Sequence, residues 1–436
     1  MRPTPAASGL GVALLCMAIN MVDGFDLLIV GFVLPNLDRD FASTPQKGWV
    51  VSLGLVGMAV GAIGLARFAD RYGRRLIALA GAATTAVGLL LSAWSPTVEF
   101  MMGARFITGM GIGMISVVIV VAAQETAEPR LRNLATGLVM IGYPLGSLLA
   151  ALSTNAITST FGANWKALYL LGAGLTVLAF VAMFVGLPES VQKAEAAFES
   201  EAHISHEAAE ANRSILSKAL LAITVLLCVG YMTVAGVFNF AAGLTPEFVK
   251  TAMLAGSDSS TDPATLATAT AAARSAGQNI GLWLSAGCLV GAISLAVVGL
   301  VMSAVRLTWI YCAIAVASMV GFANSFPHAG ESPSTALAVF AVLLGIGIFG
   351  AISSYSALVP ISYPPYARAK GYGAMLGFGR AGAVAAPLVS AYLVSEIGPQ
   401  RLYNYINLLL VISLACAAGV VLMARRRGPA ALTLSS

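Results

Sequence analysis

Four charged residues stand where an apolar chain has no ordinary use for charge: Asp23, Asp26, Arg105 and Arg380. The stretch Asp23-Gly24-Phe25-Asp26 interrupts the apolar run from Leu10 to Leu34. Two carboxylates in hydrocarbon are costly, so they must look into a protein interior, and the spacing i, i+3 puts them on one helical face. Buried carboxylates of this kind can take up and release a proton. Asp26 lies eight residues from the end of its run at 34, and Arg105 lies seven from the start of its own run at 98. At about 1.5 Å per residue both fall roughly 10–12 Å below the same surface, which predicts an Asp26–Arg105 ion pair that protonation of the acid would release. Arg380 falls near the middle of the run 369–396. A planar guanidinium there matches a carboxylate in two-pronged fashion and suits an organic anion better than a neutral sugar. Asn20, Tyr143, Tyr231, Phe238, Asn239 and Tyr355 are the candidate wall residues, offering aromatic faces and amides to a ring and its hydroxyl. The structural alternatives are a fixed ion pair for the charges and plain core packing for the aromatics.

The elements that must position these residues follow from composition. The chain has 436 residues, 58% hydrophobic and only 10% charged, against about 25% charged in soluble domains. Apolar runs of about 20 residues recur along its length, which predicts transmembrane helices rather than the alternating strands of a barrel. Twelve spans are expected, at 10–34, 48–69, 76–94, 98–123, 133–155, 166–187, 216–241, 280–301, 307–326, 335–361, 369–396 and 402–424. The first is read as an uncleaved helix and not a signal peptide, because of its length and its aspartates. With the N-terminus inside, 16 Lys and Arg residues fall on the cytoplasmic side and 6 on the other, with Arg105 and Arg380 within spans. That bias places both termini in the cytoplasm and accounts for the net charge of +5 without nucleic acid. The five cysteines fall within or against apolar runs, with no paired or metal-ligand spacing, and read as small core residues.

Residues 1–187 and 216–436 form two six-helix halves, joined by a polar cytoplasmic linker over 188–215. Its His203 and His206 fall short of a metal site. A long external loop is expected over 242–279, with Ala-Thr repeats suited to surface helix. The halves repeat. An offset of 236 brings Gly109 onto Gly345, Gly111 onto Gly347, Arg132 onto Arg368, Gly137 onto Gly373 and Gly146 onto Gly382. Such a parallel repeat is a transporter architecture with its site near the midplane. Charge departs from the symmetry: Pro144 pairs with Arg380, Arg105 with Ala341, and Glu125 with Ile361. The asymmetric residues are the better functional candidates.

The loop after the second span reads Ala66-Arg67-Phe68-Ala69-Asp70-Arg71-Tyr72-Gly73-Arg74-Arg75, a tight turn with an acid among bases at the cytoplasmic mouth. It resembles the loop 2–3 signature of the major facilitator superfamily, with Ala66 in place of the first glycine. Arg105-Phe106-Ile107-Thr108-Gly109 resembles that superfamily's span-four motif. Asp23-Gly24-Phe25-Asp26, Gly142-Tyr143-Pro144-Leu145-Gly146, Leu187-Pro188-Glu189-Ser190 and Tyr363-Pro364-Pro365-Tyr366-Ala367-Arg368 are similar to the aromatic acid:H+ symporter family within it. The second-half copy of the loop signature is nearly erased at 300–306, and no histidine lies in any span.

The resemblance implies an all-α membrane protein with twelve transmembrane helices in two pseudo-symmetric bundles. It also implies a proton-coupled importer of a small aromatic carboxylate, working by alternating access as a monomer in a bacterial inner membrane. With no membrane histidine, Asp23 and Asp26 become the proton carriers, Arg105 the residue that senses them, and Arg380 the anchor of the substrate carboxylate. Asp70, Arg71, Gly73, Arg74, Glu125, Arg132 and Arg368 are assigned to gating through salt bridges that form in one state and break in the other. No cofactor or metal is expected beyond the proton gradient. The alternatives are a non-aromatic organic anion such as a muconate or shikimate, efflux by antiport, and a membrane-embedded enzyme or sensor. The spacing Gly142-Tyr143-Pro144 departs from the Gly-Pro pair typical of antiporters, and no nucleophile–base constellation supports an enzyme.

Overall fold

Apolar runs in lipid must satisfy every backbone amide internally, and in this chain they do so as helices. The computed structural model describes residues 9–38, 40–65, 68–127, 132–161, 164–187, 218–255, 263–299, 301–328, 330–363 and 367–426. Twelve helices in it are long and apolar enough to cross a membrane. They are α1 (Gly9–Val33), α2 (Thr44–Val60), α3 (Arg74–Ala93), α4 (Val98–Thr126), α5 (Arg132–Phe161) and α6 (Trp165–Gly186), then α7 (Lys218–Met253), α8 (Pro263–Val298), α9 (Ala304–Asn324), α10 (Thr335–Ser362), α11 (Arg368–Ile397) and α12 (Pro399–Arg426). The 188–215 linker, with its two histidines, lies outside the described residues.

Local chemistry explains several helix ends. Thr97 and Ser334 accept from the amides of Phe100 and Leu337, capping α4 and α10. Ser43 and Gln46 form a capping box at the start of α2. Between the helical turn Ala69–Tyr72 and α3, Gly73 has φ of 94°, a left-handed conformation that suits glycine.

The sequence repeat is a repeat of packing. Helix–helix approach in a membrane depends on small residues, and the matched glycines make matched contacts. A β-carbon on Gly109 would overlap the Gly54 carbonyl of α2, and one on Gly345 would overlap the Leu284 carbonyl of α8. Gly111 lies against Thr85 of α3, and Gly347 against Ala315 of α9. Gly146 lies against the Met21 carbonyl of α1, and Gly382 against that of Met232 in α7. Between the halves, α2 packs on α11 and α5 on α8, contacts that exchange under the same two-fold relation.

One expectation is overturned. The long external loop over 242–279 is mostly helix: α7 runs on to Met253 and α8 begins at Pro263. Each helix has 36 residues, about 54 Å at 1.5 Å per residue against a hydrocarbon core of about 30 Å. Both are therefore longer than a direct crossing of the hydrocarbon core requires. The Ala-, Ser- and Thr-rich composition reads as loop, and the charges of Glu247, Lys250 and Arg274 add to its polarity. Tertiary partners let these charges remain on continuous helices: Glu247 and Lys47 form a buried ion pair, and Lys250 and Arg274 both donate to the Pro35 carbonyl.

Candidate substrate and proton site

Close approach of α1 to α5 sets the depth and direction of the two aspartates. Gly24 has the Tyr143 backbone against it, while Gly142 and Gly146 receive the carbonyls of Met17 and Met21. A side chain between the aspartates would therefore hold α5 away. Asn20 strengthens the same seam by donating from its amide to the Val139 carbonyl at 2.7 Å, so its donor serves α5 instead of a free wall.

Asp23 and Asp26 are both buried, at 2% and 0% exposure. They face different neighbours. The Asp26 Oδ2 lies 2.6 Å from the Thr176 hydroxyl of α6, and its Oδ1 has no hydrogen-bond partner. The Asp23 Oδ2 is also unpartnered, and the adjoining Gly24 abuts the backbone of Tyr143. Neither oxygen can be left so without cost, which marks both carboxyls as functional candidates.

The expected Asp26–Arg105 ion pair is not formed. Arg105 is 1% exposed and donates instead to the backbone carbonyls of Asp26 at 3.1 Å and Leu27 at 3.3 Å. Its guanidinium also lies 5.8 Å from the Tyr169 ring centroid, a cation–π arrangement that helps hold a buried charge. The depth argument brought the two residues to one level. Rotation of α1 about its axis then turned the Asp26 side chain toward α6 and only its carbonyl toward α4.

Arg380 of α11 is half-buried. It makes no hydrogen bond or ion pair with a described residue, and it lies within electrostatic reach of the Tyr231 and Tyr143 hydroxyls. Gly379 beside it makes room for the Tyr231 ring. The Tyr143 ring lies 6.3 Å from that of Phe238 at a tilt of 52°, and Phe238 in turn meets Phe349 edge-on at 5.8 Å. Aromatic rings from α5, α7 and α10 thus adjoin one another, and two tyrosines, Tyr143 and Tyr231, lie near the Arg380 guanidinium. Phe349 was not singled out from the sequence, because an aromatic residue in an apolar helix carries no local mark of what it faces.

Two proposed wall residues sit elsewhere. Tyr355 is fully buried, and its hydroxyl donates to the Ser413 carbonyl at 2.6 Å, tying α10 to α12. It touches the cluster only through its ring, 6.2 Å from that of Tyr231. Asn239 donates to the Ala235 carbonyl and lines a small, mainly apolar cavity with Leu27, Val51 and Leu55. Of the gating residues, Gly73 forms the turn already described, and Arg74 opens α3. Arg368 donates to the Tyr363 carbonyl at 3.2 Å at the start of α11. The side chains of Asp70, Arg71, Glu125 and Arg132 lie outside the described residues.

The halves are sealed at the face away from the termini. Lys47 of α2 and Glu247 of α7 pair at 2.6 Å, and the Lys47 ammonium also donates to the Leu37 carbonyl. Lys250 donates to the Pro35 carbonyl at 2.7 Å. Trp49 donates to the Tyr392 hydroxyl and Ser52 to the Val384 carbonyl, joining α2 to α11. Asn155 and Asn279 join α5 to α8. Sequence reading assigned none of these residues to gating, since the partners lie up to 343 positions apart.

A membrane helix bundle of two repeated halves, with buried carboxylates and a half-buried guanidinium within its spans, is the frame of a secondary transporter. The family model of the Major Facilitator Superfamily matches residues 16–326, and the chain belongs to that superfamily. It is 28% identical to the 4-hydroxybenzoate transporter of Pseudomonas aeruginosa, over 94% of this chain and 91% of that one. It is 26% identical to the gentisate transporter of Corynebacterium glutamicum, over 86% and 78%. These relatives bear out the resemblance to the aromatic acid:H+ symporter family. In fold it is similar to the crystal structure of a D-xylose-proton symporter, with a TM-score of 0.72 at 15% identity over 95% of this chain and 97% of that one.

Proposed function

We propose that the protein imports a small aromatic carboxylate, of the hydroxybenzoate type, coupled to protons and working by alternating access. The observation that carries this reading is the half-buried, unclaimed Arg380 guanidinium beside the Tyr143–Phe238–Phe349 aromatic surface. The guanidinium receives a carboxylate as a fork, and the rings receive an aromatic face. A sugar offers neither an anion nor a flat apolar face. The curated relatives named above, transporters of 4-hydroxybenzoate and gentisate, support the same substrate class.

Proton coupling rests on Asp23 and Asp26, with Arg105 holding the backbone beside them. Asp23 adjoins the substrate surface through Gly24, which abuts the Tyr143 backbone. A proton on Asp23 and an anion on Arg380 would neutralise the two charges, so that the loaded site crosses the reorienting state without net buried charge. The charge bias of the loops supports cytoplasmic termini in a bacterial inner membrane. In that orientation the Lys47–Glu247 pair closes the outer face. Asp70, Arg71, Gly73, Arg74, Glu125, Arg132 and Arg368 would then close the cytoplasmic mouth in the opposite state.

The deciding experiment is uptake of labelled benzoates, muconates and sugars into proteoliposomes with an imposed pH gradient. Accumulation of hydroxybenzoates that collapses with the gradient is expected. Preference for a muconate over every aromatic acid would overturn the substrate class, and indifference to the gradient would overturn the coupling.

A further inference from the structure

Among the described residues, Thr176 is the one side chain hydrogen-bonded to the Asp26 carboxyl, and its hydrogen bonding cannot be completed by one proton. Its hydroxyl lies 2.6 Å from the Asp26 Oδ2 and 2.8 Å from the Gly172 carbonyl one turn back along α6. Both neighbours accept, yet a hydroxyl has a single hydrogen to donate. The two contacts coexist when Asp26 carries the proton: the carboxyl donates to the Thr176 oxygen, which donates to Gly172. With Asp26 ionised, the Thr176 hydrogen turns to the carboxylate, and the bond to the Gly172 carbonyl is given up.

A second observation comes from Gly172 itself. A β-carbon there would stand 2.8 Å from the Asp26 Oδ1, closer than such contacts are tolerated. Gly172 and Thr176, at i and i+4 on α6, thus make a recess and a hydrogen-bonding wall for one carboxyl group. Among the described residues, the charged groups near it are Arg105 from α4, itself over the Tyr169 ring of α6, and Asp23 on the same helix. Among the described residues, no hydrogen bond or ion pair reaches it from a charged side chain of α2, α5 or α7. Asp23 has no comparable seat.

We infer that Gly172 and Thr176 are positioning residues for proton coupling: they hold the Asp26 carboxyl in its protonated state and transmit loss of that proton to α6 through the Thr176 hydroxyl. The two aspartates then divide the work. Asp23 faces the substrate surface, and Asp26 communicates its charge to the α6 backbone and to Arg105. This inference rests on the proton-coupled reading above.

The test uses the purified full chain in lipid. Infrared difference spectra of wild type and Asp26→Asn should identify a protonated-carboxyl band that belongs to Asp26, and Thr176→Val should shift that band while Thr176→Ser restores it. In proteoliposomes Thr176→Val should slow gradient-driven uptake by roughly tenfold or more, the factor carried by a hydrogen bond to a charged group. Substrate exchange without a gradient, which needs no proton release, should fall far less than gradient-driven uptake, and Thr176→Ser should recover the gradient-driven rate. A band absent in wild type, or unmoved by Thr176→Val, overturns the inference; so does equal loss of exchange and net uptake in Thr176→Val. Absence of gradient-driven uptake in wild type overturns the functional reading instead, and the infrared bands still judge the seat.

Discussion

Lys47 and Glu247, 200 positions apart, meet at 2.6 Å between α2 and α7, and both side chains are almost wholly withdrawn from solvent. The second Glu247 oxygen has no partner. The bond therefore holds shut a face of the molecule whose halves must separate if access alternates.

Breaking that pair from one side leaves an uncompensated buried charge, a loss of about 3–5 kcal/mol. Glu247→Gln should shift the population toward the state open at the far face. A cysteine placed at Ser52, which bridges α2 to α11, should then react faster with a membrane-impermeant thiol reagent added outside. The charge swap Lys47→Glu with Glu247→Lys should restore protection; unchanged labelling in the single variant would remove the pair from gating.

Arg380→Lys keeps the charge and removes the fork. Replacing a two-pronged charged hydrogen bond with a single one should cost about 1.5–3 kcal/mol of carboxylate binding. The half-saturating substrate concentration should rise by roughly tenfold or more, with protein abundance unchanged. Equal losses in affinity and abundance would make Arg380 structural.

Gly24→Ala tests the α1–α5 contact. The added carbon overlaps the Tyr143 backbone, which cannot give way as a flexible side chain would. Overpacking of this kind costs about 1–3 kcal/mol. A lower melting temperature in detergent is expected, together with slower uptake, because Asp23 and Tyr143 are displaced from one another.

Asp23→Asn and Asp26→Asn should both uncouple uptake from the gradient. In wild type, initial rates should rise as the outside pH is lowered, since protons on that side load the carrier. Each variant should lose this dependence when rates are measured across outside pH at fixed inside pH. A preserved profile in either would remove that residue from the proton path.

Phe349→Ala should weaken binding of aromatic acids more than that of a non-aromatic dicarboxylate, since it removes a face of the ring cluster and no charge. Competition of unlabelled acids against labelled hydroxybenzoate would measure the difference.

The twelve spans were legible in the sequence because the cost of placing polar groups in hydrocarbon is paid residue by residue along the chain. The repeat was legible for a similar reason: Gly109 and Gly345 must each lack a side chain wherever two helices touch. The level of Asp26 and Arg105 could be counted along the helices. Their pairing could not, because it depends on how α1 is turned about its axis, which the Gly24, Gly142 and Gly146 contacts with α5 determine. For the same reason Thr176 and Phe349 left no sign: each is an ordinary residue in an apolar helix until another helix presents its partner. The end of α7 is not legible in the polar composition after 242, where the helix continues to Met253. A buried Lys47, brought from the other half of the chain, allowed Glu247 to remain on a helix. Sequence alone determined which charges needed a reason, and only the tertiary structure decided which neighbour supplies it, because rotation and contact of helices are properties of the assembled bundle.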